Sequence, residues 1–275
     1  MKISLLVCVL VLVLPVALAQ LKVGFYKSSC PKAESIVKQV VQKRFNSDRT
    51  ITAALLRMHF HDCFVQGCDA SILIDSTDAE KEAGQNLSVR GFDLIDQVKE
   101  RLEAACPSTV SCADIITLAT RDAVALAGGP KYEVPTGRRD GLVSKRSSVD
   151  LPGPDISVQD ALDLFDKKGI KREEDMVSLM GGHTVGKAFG RLLDGKTPST
   201  VDNQYYKQIL QNKGVLSIDQ NLAVSASTKS IVTALAANNT RFQISFANAM
   251  IKMGRIQVLV GNAGEIRKKC GAFNN

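Results

Sequence analysis

Residues 57–64 read Arg-Met-His-Phe-His-Asp-Cys-Phe, with Arg57 and His61 four apart. On an α-helix that spacing stacks both side chains on one face, so a cation and a base would point into the same space. Such a pair suits cleavage of a peroxide bond. The base takes the proton from the inner oxygen and returns it to the leaving oxygen, while a fixed positive charge stabilises the separating oxygens. An imidazole with an ordinary pKa near ~6.5 can stay neutral and accept a proton at mild pH, whereas a guanidinium stays charged. Taken alone, an arginine and a histidine on an apolar helix read first as a satisfied polar pair in a core. His59, His61, Cys63 and Cys68 also form a zinc-like ligand set, the basis of a rival reading as a zinc hydrolase. The third histidine, His183, lies in Gly-Gly-His-Thr-Val-Gly, where small neighbours let a flat group approach closely or where a histidine simply ends a helix.

The elements that must position these groups are mainly helical. Spacing predicts one helix opened by Pro31, with Ile36, Val37, Val40 and Val41 on one face, and a more apolar one over 51–64. Further helices are expected over 92–105, 113–127, 158–168, 173–180, 204–211, 227–238 and 242–253. Runs of alternation long enough for a sheet are scarce. The polar stretch 134–155 has no clean period and is expected to be a long ordered loop.

Residues 5–19 form an apolar run behind Lys2 and end in Ala-Leu-Ala, which reads as a secretory leader cleaved before Gln20. A membrane span needs about 20 apolar residues, and the sequence turns polar after Gln20, so export is expected rather than anchoring. The formal charge of +7 drops to +6 once Lys2 leaves, with 34 basic against 28 acidic residues. That balance implies solubility and at most a weak attraction to acidic wall polysaccharide; no nucleic-acid or membrane partner is indicated. Cys8 leaves with the leader, and the six remaining cysteines in an oxidising compartment imply three disulfides, with 15 pairings open. Thiols as close as Cys63 and Cys68 in an exported chain favour a disulfide over zinc.

The gap-free segment 57–71, RMHFHDCFVQGCDAS, resembles the distal helix and calcium loop of the secretory plant peroxidases (class III). Glu80 with NLSVRGF, then VSCADIITLATRDAV, VPTGRRDG, LPGP, GGHTVG, DNQYY and SIDQNL follow in the family's order. The resemblance runs from Gln20 almost to the C-terminus. It implies a two-lobed helical haem-peroxidase fold, with a distal lobe over roughly 20–150, a proximal lobe over roughly 151–275 and the haem cleft between them. It implies haem b and two calcium ions, hydrogen peroxide and small phenolic donors as substrates, a monomer, and a place in the cell wall, apoplast or vacuole.

By the same resemblance Arg57 is the distal cation, His61 the acid–base catalyst, and Asn86 the acceptor that fixes the His61 tautomer, with Glu80 behind it and counted with the metal residues. Asn86 also sits in an Asn-Leu-Ser sequon; Asn238, in Asn-Asn-Thr, falls between two expected helices and is the better glycan candidate. His183 would ligate iron with Asp219 as its carboxylate partner. Asp62, Asp69 and Ser71, with main-chain oxygens of Val65 and Gly67, resemble the distal calcium site. Thr184, Asp194, Thr197, Thr200 and Asp202 resemble the proximal one. Pro152 matches the family's donor-contact proline, and the implied disulfides are Cys30–Cys106, Cys63–Cys68 and Cys112–Cys270. One departure stands out. The family's fourth disulfide has one partner at the position of Gly190 and the other in a segment missing here, since only 18 residues separate His183 from Asp202. The missing segment shapes the proximal haem flank and the donor mouth, so the alternative function is a haem-binding, wall-associated protein with impaired turnover.

Overall fold

A computed structural model describes residues 20–188 and 190–274; the expected leader lies outside the described residues. The chain is mainly α-helical, as expected. Helices α1 (Ala33–Ser47), α2 (Ile51–Val65), α3 (Phe92–Ala105) and α4 (Cys112–Leu126) pack on one another. A second group comprises α5 (Val158–Lys167), α6 (Glu173–Met180), α7 (Gln204–Ile209), α8 (Ser217–Leu222), α9 (Lys229–Ala237) and α10 (Asn239–Met253). In it α10 packs on α6 and α9, α7 on α8 and α9, and α5 on α6 and α8. The groups touch where α2 meets the 3-10 turn Gly181–Thr184 that follows α6. A methyl group added at Gly182 would lie 4.0 Å from Leu56 Cδ1.

Side-chain caps set several boundaries. Ser111 accepts from Asp114 N at 3.1 Å, Ser157 from Asp160 N at 3.1 Å, and Asn238 from Arg241 N at 3.0 Å, each satisfying a helix N–H that lacks an internal partner. The cap at Asn238 starts α10 at Asn239, three residues earlier than periodicity predicts at 242. Helix α1 begins at Ala33, two residues beyond Pro31, and α7 ends at Ile209 rather than 211. Helix α8 was not expected. β1 (Lys22–Val23) pairs antiparallel with β2 (Pro135–Thr136), and β3 (Lys187–Ala188) with β4 (Arg191–Leu192).

The loop over 134–155 is ordered because buried charges pin it. Arg138 is fully buried and pairs with Asp114 at 2.7 Å while donating to Pro135 O at 2.8 Å and Gly254 O at 2.8 Å. Asp114 also accepts from Tyr26 Oη and Gly137 N, both at 2.7 Å. Arg267, likewise buried, donates to Ala70 O at 2.8 Å and Gly141 O at 3.0 Å, tying the C-terminal segment to the loop after α2. Disulfides join Cys30 to Cys106, Cys63 to Cys68 and Cys112 to Cys270.

Candidate active site

Helix α2 is buried on nearly every side, yet Arg57 on it is exposed and His61, one turn on, is buried. The pair therefore faces an opening rather than the core. Arg57 Nε donates to His61 Nε2 at 3.2 Å, and Arg57 Nη2 donates to Gln85 O at 3.1 Å. On the far side of the ring, His61 Nδ1 lies 2.6 Å from Asn86 Oδ1. Asn86 is held in turn by its Nδ2, which donates to Glu80 O at 2.7 Å. This chain fixes the tautomer: Nδ1 carries the hydrogen and Nε2 keeps a lone pair. Burial, only partly offset by the Asn86 bond, together with the Arg57 charge brings the His61 pKa down to about 4. His61 is thus a neutral base at mild pH. The burial of Asn86 and both its bonds exclude it as a glycan acceptor, whereas Asn238 is exposed.

His59 points elsewhere. It is 1% exposed, its Nε2 lies 3.4 Å from Thr117 Oγ1, and burial and then the Arg138 charge press its pKa to about 3. It clusters with Cys63 and Cys68, but those sulfurs are joined to each other. The zinc reading fails on this point, because a disulfide offers no thiolate and His61 is committed to Asn86 and Arg57.

His183 stands on the turn between α6 and β3, with its Nδ1 2.8 Å from Asp219 Oδ1. Asp219 lies on α8 and is 1% exposed. Burial works against charging His183, but the carboxylate outweighs it and holds the pKa above the ordinary value. With Nδ1 taken, Nε2 is the nitrogen left to bind a metal. The Asp219 oxygen also accepts from Tyr205 Oη at 2.8 Å, a contact not anticipated from sequence. The loop carrying Pro152 is fastened to the start of α8, since Ile218 N donates to Pro154 O at 3.2 Å. Pro152 therefore sits on a loop anchored one residue from Asp219.

Beside His61, four oxygens of a buried cluster, Asp62 Oδ1, Ser71 Oγ and both Glu80 carboxylate oxygens, have no hydrogen-bond partner among the described residues. Asp69 belongs to the same cluster, with Oδ1 accepting from Ser71 N at 3.0 Å. Burial raises the pKa of Asp62, Asp69 and Glu80, with the Asp69 charge adding to the first and last, and Glu80 reaches about 8. Crowded carboxylates with orphaned oxygens fit a hard divalent cation. Gly67 and Gly141 make the cluster sterically feasible: a Cβ would lie 2.5 Å from Gln257 O at Gly67 and 2.2 Å from Asp69 Oδ2 at Gly141. The main-chain oxygens are less free. Val65 O accepts from Lys168 Nζ at 3.0 Å and Gly67 O from Asp69 N at 2.8 Å.

The second cluster is drawn together by the short connection after His183. Thr184 Oγ1 lies 3.3 Å from both Asp194 Oδ2 and Asp202 Oδ1, and Thr197 Oγ1 lies 2.9 and 3.1 Å from the same oxygens, so each single hydroxyl hydrogen faces two carboxylates. Thr184 Oγ1 also lies 3.4 Å from Thr200 O. Two hydroxyls, two carboxylate oxygens and one main-chain oxygen from these five residues thus form one polar cluster. Gln208, which lies outside the expected ligand set, hydrogen-bonds Asp194 through its side-chain amide.

The family described as Peroxidase matches residues 37–238. The chain is 52% identical to Peroxidase 57 of Arabidopsis thaliana, over 97% of this chain and 96% of that protein. It is 50% identical to Peroxidase 28 of the same plant, over 96% and 97%. Peroxidase 1 of Zea mays is 41% identical, over 97% of this chain and 87% of its own length. The first of these alignments spans 303 positions against a chain of 275 residues, so at least 28 positions have no residue here.

Proposed function

The chain belongs to the peroxidase family, and from that premise we propose that it is a secreted haem enzyme that reduces hydrogen peroxide and oxidises small phenols by one-electron steps. The observation that carries this reading is a contrast between two histidines anchored in the same way through Nδ1. His61 is anchored by a neutral amide at 2.6 Å and His183 by a carboxylate at 2.8 Å. A neutral acceptor leaves His61 a weak base that can accept a proton and give it back. A charged acceptor makes His183 electron-rich, as an iron ligand needs to be.

His183 Nε2 would hold haem, whose iron would supply the site for peroxide cleavage and would store the two oxidising equivalents taken from the peroxide until donors reduce it. The chain's own groups do the rest. An incoming peroxide replaces the Arg57 Nε–H on His61 Nε2, which then takes the proton of the inner oxygen and delivers it to the leaving oxygen as water forms. The guanidinium, released from His61 yet still bonded to Gln85 O, stabilises the charge on the separating oxygens. Asn86 holds the ring while it is transiently charged. Phenols would approach past Pro152. Asp62, Asp69, Ser71 and Glu80, with Val65 and Gly67 carbonyls, would hold one calcium ion, and Thr184, Asp194, Thr197, Thr200 and Asp202 a second. Each ion would secure the segment next to one histidine. The two helical groups would be the distal and proximal lobes.

The test is peroxide-dependent oxidation of a phenol by the chain without residues 1–19, folded with haem and calcium. Loss of the rate in His61→Ala is expected, and an undiminished rate would remove His61 from the mechanism. The shortened proximal connection favours one further check. Haem bound through His183 with negligible phenol oxidation would indicate a binding protein instead.

A further inference from the structure

Asp219 Oδ1 is shared. It accepts His183 Nδ1–H and the Tyr205 phenol, each at 2.8 Å. Tyr205 lies on α7, fourteen positions before Asp219 on α8, and both residues are 1% exposed. The phenol cannot turn away. Its ring meets the His183 ring edge to face at 6.1 Å and that of Tyr206 at 4.9 Å, and Tyr206 is itself fixed by donating to Val177 O at 2.9 Å. Water cannot substitute for the hydroxyl without a cavity opening in this cluster.

Two donors on one carboxylate oxygen compete for its electron density. Each hydrogen bond drains part of the negative charge, so the bond to the other donor weakens. We propose that Tyr205 is a positioning residue that sets how strongly Asp219 polarises His183, its phenol lowering the electron richness of that imidazole and hence raising the reduction potential of the metal it binds. The inference rests on His183 being the iron ligand. A less electron-rich ligand favours the ferrous state, so loss of the phenol shifts the potential down and a more acidic phenol shifts it up.

The experiment is a spectroelectrochemical titration of the haem-loaded chain between its ferric and ferrous states, comparing the parent with Tyr205→Phe and with a form carrying ring-fluorinated tyrosine at position 205. Fluorination retains the ring and the hydroxyl and makes the phenol a stronger donor, so it reports even if Tyr205→Phe fails to fold. Phenylalanine is expected to move the midpoint to a more negative value and the fluorinated ring to a more positive one. A purely structural tyrosine would change the melting temperature without these opposite shifts. Unchanged midpoints in both forms, or shifts of the same sign, would overturn the proposal. If the parent's spectrum shows no histidine-ligated haem, or His183→Ala leaves that spectrum intact, the reading of His183 fails and Tyr205 is not at issue.

Discussion

Asn86→Val should slow the reaction with peroxide without changing the protonation state of His61 at neutral pH. In the resting chain the bond from Nδ1–H to Asn86 Oδ1, 2.6 Å long, joins two neutral groups and is worth about 0.5–1.5 kcal/mol. When the ring takes the peroxide proton the same bond becomes charge-assisted, worth about 1.5–3 kcal/mol. Only the difference, about 1–2 kcal/mol, acts on the barrier, which corresponds to a rate roughly 5- to 30-fold lower. Because the Asn86 bond raises the His61 pKa against burial, its removal should also move the acid limb of the pH profile further down from about 4. Stopped-flow absorbance of the haem-loaded chain mixed with peroxide, from pH 3 to 8, reads both effects. An unchanged plateau rate, or an acid limb displaced upward, would refute the anchoring role of Asn86.

In the parent, the same profile should be flat at neutral pH and fall through about pH 4 as His61 charges. Urea titrations of the parent beside His61→Ala should show the parent losing stability relative to the variant as pH drops from about 6.5 toward 4, because the unfolded imidazole takes its proton first; a relative gain over that window would contradict a depressed pKa. Gly141→Ala forces a methyl group to within 2.2 Å of Asp69 Oδ2, while Gly141 N is held on Asp69 O at 2.7 Å and cannot retreat. A loss of about 1–3 kcal/mol or more and weaker calcium binding are expected, read by thermal melts with and without chelator. Arg138→Met leaves the Asp114 carboxylate buried without its cation and should cost about 3–5 kcal/mol, measured by denaturant titration. Adding Asp114→Asn should recover part of that loss.

Helix α2 and its Arg57–His61 pair were readable from sequence because both the apolar pattern and the four-residue spacing are local. Helix α8 was not, since six residues give too little periodicity, although its SIDQNL motif had already singled out Asp219. Whether Asn86 is a sequon or a buried acceptor depends on Glu80 and His61 folding around it, which no local pattern encodes. Tyr205 sat in the recognised DNQYY motif, but spacing cannot show that its hydroxyl reaches Asp219. The same holds for Lys168, which crosses from the end of α5 to Val65 O, an oxygen expected to serve a cation. The β3–β4 pair also escaped prediction, because strands of two residues carry no alternation.

The most direct measurement is the absorption spectrum of the haem-loaded chain before and after hydrogen peroxide. A five-coordinate ferric spectrum, ligated by His183 alone, that changes within milliseconds of mixing and returns on addition of a phenol is the expected result. A six-coordinate, bis-histidine spectrum unresponsive to peroxide would mean that His61 is bonded to iron and is not free to carry a proton.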